Sequence, residues 1–271
     1  MENTQDAKKR IITYLVLVFA LSAIFYVLII RAGSLSAGGG FYVLGLMWMP
    51  ALAALITTFI YQRNFRGLGW GLGKPRYLVI AYLLPVIYGM VTYGLIWITG
   101  LGAFDSTAAG DRLPNFLLSY ATLGVLMSLL SATGEEIGWR GLLVPELAKL
   151  TSFTKTALIS GVIWVLWHAP LILLADYDSG APKWFALLCF AALAIGASFP
   201  FAWLRLASGS LWPAALLHAS HNLFIQGVFD VLTANTGNTV YFSGEFGLGL
   251  AIAGLVIAVI FVKLSRNQLQ S

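Results

Sequence analysis

Eight apolar stretches recur along the chain: Ile11–Ile30, Phe41–Tyr61, Tyr77–Gly100, Phe116–Trp139, Thr156–Ala175, Trp184–Leu206, Leu211–Val231 and Phe246–Leu264. Each approaches the roughly 20 residues a helix needs to cross a hydrocarbon core of about 30 Å. Backbone polar groups in hydrocarbon must be satisfied inside the segment, so runs of this length predict transmembrane helices. Turn-forming sequences separate them, at Ala37–Gly40, Gly67–Pro75, Asp178–Pro182 and Ala234–Asn238. No solenoid repeat or long linker divides the chain. The pattern predicts an all-α, polytopic membrane protein: one integral membrane domain over 1–271 with eight transmembrane helices.

Composition supports the same class. Apolar residues make up 59% of the chain and charged residues 10%, against about 25% charged in an ordinary soluble domain. The net charge of +5 does not indicate nucleic acid, because the basic residues lie between the apolar runs and form no patch with interleaved aromatics. The one cysteine, Cys189, has no disulfide partner. Lys8, Lys9 and Arg10 precede a first run longer than the 7–15 residues or so of a signal-peptide core. That run is expected to stay as a span.

With eight spans, Arg31, Arg112 and Lys183 fall on one side and the other 13 of the 16 lysines and arginines on the opposite side. The positive-inside rule then places both termini in the cytoplasm, in a multi-pass protein of the plasma membrane. Asp105, Asp111, Asp176, Asp178, Asp230 and Glu245 fall outside. Trp48, Trp70, Trp97, Trp184, Trp203 and Trp212 lie near span ends and predict interfacial belts. Gly45, Gly89, Gly94, Gly196, Gly247 and Gly249 predict close helix packing.

Ionisable groups inside spans cost about 2.5–3.5 kcal/mol each on insertion scales and so mark candidate sites. Glu135, Glu136 and Arg140 lie toward the end of the fourth span, His168 on the fifth, and His218, His221 and Asn222 on the seventh. Residues four apart lie about 40° from one another on a helix, so Glu136 and Arg140 can pair. Glu135 turns about 100° from Glu136 and is left to face a cavity. His218 and Asn222 share a face and can aim two donors at one oxygen, with His221 flanking them.

A carboxylate and an imidazole that hold a water, beside donors for an oxyanion, are the equipment of peptide hydrolysis. Glu135, His168 and His218 are also donor types that suit zinc, although the ligands would have to be assembled across helices. Taken singly, each feature has a plainer reading: a structural ion pair, an interhelical histidine, or polar helix–helix glue. A proton-coupled transporter would use similar groups, but no inverted repeat is visible.

Three motifs together resemble the CPBP family of CAAX proteases and bacteriocin-processing enzymes, also called the Abi family. They are Glu135-Glu136-Ile-Gly-Trp-Arg140, Trp164-Val-Leu-Trp-His168 and His218-Ala-Ser-His-Asn222. The motif-bearing region runs from about 116 to 231, with Trp164 where the family usually has phenylalanine. The resemblance implies an intramembrane endopeptidase with its catalytic core on spans 4, 5 and 7. By that analogy Glu135 activates water with help from His168, and His218 and Asn222 form the oxyanion hole. Glu136, Arg140, Trp164 and His221 support them. Both metalloprotease and glutamate-protease mechanisms have been assigned to the family. The implied partners are membrane lipid and a membrane-associated, in the best-known members prenylated, peptide or protein substrate. The alternative is a catalytically silent self-immunity or regulatory membrane protein.

Overall fold

The computed structural model describes residues 4–107, 110 and 113–268, so Asp111 and Arg112 lie outside the described residues. Among the described residues, seven helices are long and apolar enough to cross a membrane. They are α1 (Thr4–Ala32), α2 (Phe41–Gln62), α3 (Pro75–Ile98), α4 (Leu113–Ala148), α5 (Phe153–Leu174), α6 (Lys183–Ser208) and α8 (Leu248–Gln268). Between α6 and α8 runs α7, residues 212–229, which begins as α-helix and continues as π-helix. It is helical where the seventh span was expected, but it does not meet the length-and-hydropathy condition the other seven satisfy. Its polar residues lower the hydropathy, and most of the helix is buried against α3 and α4, so little of it needs to suit lipid. The protein is an all-α polytopic membrane protein. A two-residue antiparallel pairing, Ala103–Phe104 with Thr233–Ala234, ties two loops together.

Two packing groups surround the site. In one, α6 lies between α5 and α8; in the other, α2 joins α1 to α4. The apolar window of α6 is 61% buried, against 28% for α1. That enclosure corrects the expectation for Trp203, which is not interfacial. It is buried and packs edge-on against Tyr77 and Phe261. Gly209, at φ +70°, ends α6 in the left-handed conformation that glycine adopts without steric cost.

The fourth helix also differs from its expected bounds. It does not stop at Trp139 but continues to Ala148, through π segments at Tyr120–Gly124 and Ile137–Leu143. The Glu135–Arg140 motif therefore sits inside the helix rather than near its end. Within or just ahead of each of these π segments, a backbone carbonyl accepts from a side chain of another helix. Tyr82 donates to Ala121 O at 2.8 Å, Arg205 Nε to Arg140 O at 2.7 Å, and Ser128 to Ala219 O at 3.0 Å, just ahead of the π stretch in α7. π-Bulges are frequent at functional sites.

Glycine spacing sets the contact of α4 with α2. A Cβ on Gly134 would lie 2.6 Å from Met47 O, and one on Gly138 would lie 2.5 Å from Tyr14 Oη and 2.7 Å from Pro50 O. These two glycines, absent from the expected set, form the small-xxx-small contact beneath the motif. Gly94, which was expected to pack closely, has nothing within 4 Å of its Cβ position. Gly138→Ala is expected to lower stability by about 1–3 kcal/mol through overpacking. Gly94→Ala is expected to be neutral or stabilising, by about 0.5–1 kcal/mol at most. Thermal unfolding in detergent compares them, and equal stability of the two variants would contradict the packing.

Candidate active site

Glu135 and Glu136 occupy the last turn of regular α-helix before the second π segment of α4, and they face different neighbours. Glu136 is fully buried. Its Oε1 accepts from Arg140 Nη1 at 2.7 Å and from His218 Nδ1 at 2.9 Å. The Arg140 guanidinium lies 3.9 Å from the centroid of the Phe201 ring and 4.6 Å from that of Trp164, two aromatic faces that stabilise a desolvated cation. The i,i+4 pairing read from the spacing is thus extended by an unforeseen third member, His218 from α7.

Glu135, 2% exposed, points elsewhere. Its Oε2 accepts from Trp164 Nε1 at 2.9 Å and, more weakly, from Trp139 Nε1 at 3.4 Å, while Oε1 carries neither bond. Phenylalanine at 164 could not donate, so the tryptophan there adds a polar contact to the aromatic wall. His168 Nδ1 lies 2.9 Å from Trp164 O. A carbonyl only accepts, so Nδ1 carries the proton and Nε2 remains the free ring nitrogen. Trp164 and Trp167 hold the ring edge-on at 5.5 and 4.8 Å between centroids.

One cavity of about 170 Å³ gathers Glu135, Trp164, His168, His218, His221 and Asn222. Its walls are mostly apolar, among them Leu46, Met47, Leu84, Leu171, Pro200 and Phe201. Asn222 enters it from the first residue of the π stretch in α7. Glu136 and Arg140 lie behind the wall and do not line it.

The described residues contain no group of three His, Cys, Asp or Glu side chains placed to hold a metal ion. Glu135, His168 and His218 therefore share a cavity without forming a zinc-ligand set in this arrangement. Their donor chemistry suits zinc, but their placement does not.

Residues 116–224 match the family described as type II CAAX prenyl endopeptidase Rce1-like. A CAAX prenyl protease 2 from Methanococcus maripaludis is 44% identical over 48 residues, which is 18% of this chain and 18% of that protein. The motif-bearing core is similar to this CAAX-protease family. All three motifs lie in the matched segment, and the cavity lies where the three helices that carry them meet.

The cavity also contains residues that sequence reasoning missed. Tyr88, Tyr177, Gln226 and Glu245 line it beyond His221. His221 is clamped at both nitrogens, by the Tyr88 hydroxyl at Nδ1 and by Glu245 Oε1 at Nε2, 2.9 Å away. Tyr177 donates to Glu245 Oε2 at 2.7 Å. Glu245 was expected in a loop on the outer side. It does leave from the loop before α8, but it turns inward and is buried. The only hint in the sequence was a carboxylate directly ahead of an apolar run.

Burial alone would raise the Glu245 carboxyl, yet the hydrogen bond and charge of His221 and the hydroxyl of Tyr177 outweigh it and bring the group to about 2. A carboxyl lowered on folding contributes stability that is complete above its unfolded value of about 4.5 and is lost as pH falls toward about 2. Thermal unfolding of the wild type is therefore expected to move to lower temperature across that window. Glu245→Gln is expected to remove this part of the acid sensitivity and to be less stable at neutral pH. An unchanged acid limb in the variant would contradict the assignment.

Proposed function

We propose that the chain is an intramembrane endopeptidase of the CAAX-protease type. The observation that carries this reading is the meeting of Glu135, His168, His218 and Asn222 in one largely apolar cavity, with a buried Glu136–Arg140 pair behind them. In the proposed reaction a water sits between Glu135 Oε1 and His168 Nε2. Glu135 takes one of its protons as the water oxygen attacks the scissile carbonyl carbon. The carbonyl oxygen becomes an oxyanion that accepts hydrogen bonds from the Asn222 amide and from His218 Nε2–H. His218 donates in this way only as the imidazolium, since Nδ1 already donates to Glu136, and the Glu136 carboxylate offsets the charge. Collapse of the intermediate breaks the C–N bond. Glu135 returns its proton to the leaving nitrogen, which releases an amine and a carboxylic acid, whose proton then passes to the amine.

The proposed substrate is a membrane-associated protein or peptide with a prenylated C-terminal CAAX segment. The Methanococcus relative's name, CAAX prenyl protease 2, and the apolar cavity walls support that choice. We also infer a plasma-membrane protein with both termini cytoplasmic, from the distribution of lysine and arginine. The test is to incubate the purified protein with a prenylated CAAX peptide and with unlipidated transmembrane peptides. Cleavage of the prenylated peptide is expected. Cleavage of the unlipidated peptides alone would redirect the substrate assignment, and cleavage of neither would favour the binding or immunity reading.

A further inference from the structure

On the lipid-facing side of α5, α6 and α8 runs a furrow of about 420 Å³, outside the cavity that holds the catalytic groups. Its floor is a contact between backbones: a Cβ on Gly196 would lie 2.4 Å from the Gly254 carbonyl carbon, so no side chain fills the space. Leu158, Ile195, Phe199, Leu255 and Val259 form its walls, and Leu158, Leu255 and Val259 are exposed. Lys263 and Arg266 close one end, one helical turn apart on α8. Both are exposed, and neither makes a hydrogen bond or ion pair among the described residues. Among the described residues, no acidic side chain lines the furrow. Lys155, one turn before Leu158 on α5, adds a further exposed cation at the start of that helix.

We propose that this furrow binds an anionic phospholipid, with an acyl chain along the apolar walls and the headgroup phosphate on Lys263 and Arg266. An apolar trough between transmembrane helices that ends in unpaired cations has the shape and charge of such a lipid. Basic pockets of this kind between spans are known to recognise anionic headgroups. The walls join the furrow to the catalytic cavity. Ala197 on α6 and Gly254 and Ile257 on α8 line the cavity on the other side of the same helix pair. A lipid seated in the furrow therefore braces the wall against which substrate would lie.

Native mass spectrometry of the purified full chain with added phosphatidylglycerol and phosphatidylcholine tests the site without any activity readout. Two cations worth about 1 kcal/mol each near the membrane surface imply roughly tenfold or greater preference for phosphatidylglycerol. That preference is expected to vanish in Lys263→Gln/Arg266→Gln. It is expected to persist in Lys8→Gln/Lys9→Gln, an equal loss of charge away from the furrow. Val259→Trp, which fills the trough and leaves the cations in place, is expected to weaken retention of the anionic lipid. Equal retention of the two lipids by the wild type would overturn the proposal, as would equal loss of preference in the two charge variants or unchanged retention in Val259→Trp.

Discussion

Glu135→Gln is expected to abolish peptide cleavage while leaving the protein folded and able to bind substrate. The glutamine carbonyl oxygen can still accept from Trp164 and Trp139, which now meet Glu135 Oε2 at 2.9 and 3.4 Å. The indole contacts and the cavity shape therefore survive. What is lost is the base that takes the proton from water, and an amide cannot replace it. His168→Ala is expected to have a comparable effect, because Nε2 is the free nitrogen that would hold the same water. Asn222→Ala is expected to be milder, since removal of one oxyanion donor costs about 10²–10³ in rate. Measuring kcat beside thermal unfolding separates these outcomes from loss of fold. A Glu135→Gln protein that cleaves at the wild-type rate would overturn the mechanism, and the immunity or binding reading would then lead.

Glu136→Ala is expected to destabilise the fold by about 3–5 kcal/mol, the usual cost of leaving one member of a buried pair uncompensated, and Arg140→Ala by less, because His218 stays beside Glu136. Both side chains are almost completely buried, at 0% and 1% exposure, so water cannot replace the missing partner. Removing Glu136 leaves the guanidinium between Trp164 and Phe201 without its hydrogen-bonded anion, and it also frees His218 Nδ1. Glu136→Ala should therefore reduce activity beyond its effect on stability. Arg140→Ala leaves the Glu136–His218 contact in place, and in that variant the imidazolium is the remaining cation beside the carboxylate. The double variant should lose less than the sum of the single variants, because contacting partners are not additive. Denaturation in detergent reads all three. Wild-type stability in both single variants would show that the pair does not carry this load.

Much of this was legible in the chain. Apolar runs long enough to span a bilayer have few structural options, because unsatisfied backbone groups are too costly in hydrocarbon. The helical class therefore followed from residue order alone. The Glu136–Arg140 pair was also readable, since residues four apart meet on any helix. The three motifs pointed to one polar constellation because ionisable side chains inside spans are too costly to be scattered at random.

Other features depended on partners distant in sequence. The π segments beside Glu136 and at Asn222 follow no local pattern; Arg205 and Ser128, from other helices, donate to the carbonyls there. Glu245 reaches the cavity because the loop before α8 folds inward onto His221 and Tyr177, and no periodicity encodes a loop's path. His218 contacts Glu136 across 82 residues, and Trp164 contacts Glu135 across 29. Zinc illustrates the same division: the sequence supplied suitable donor types, but only the packing of three helices decided whether their atoms converge. Residue order by itself determined the helices, their membrane setting and which polar groups lie within them, because those depend on local hydrophobicity and helical geometry. Tertiary structure alone decided which oxygen each donor reaches and which residues share the cavity, because those depend on how separate helices are rotated and pressed together.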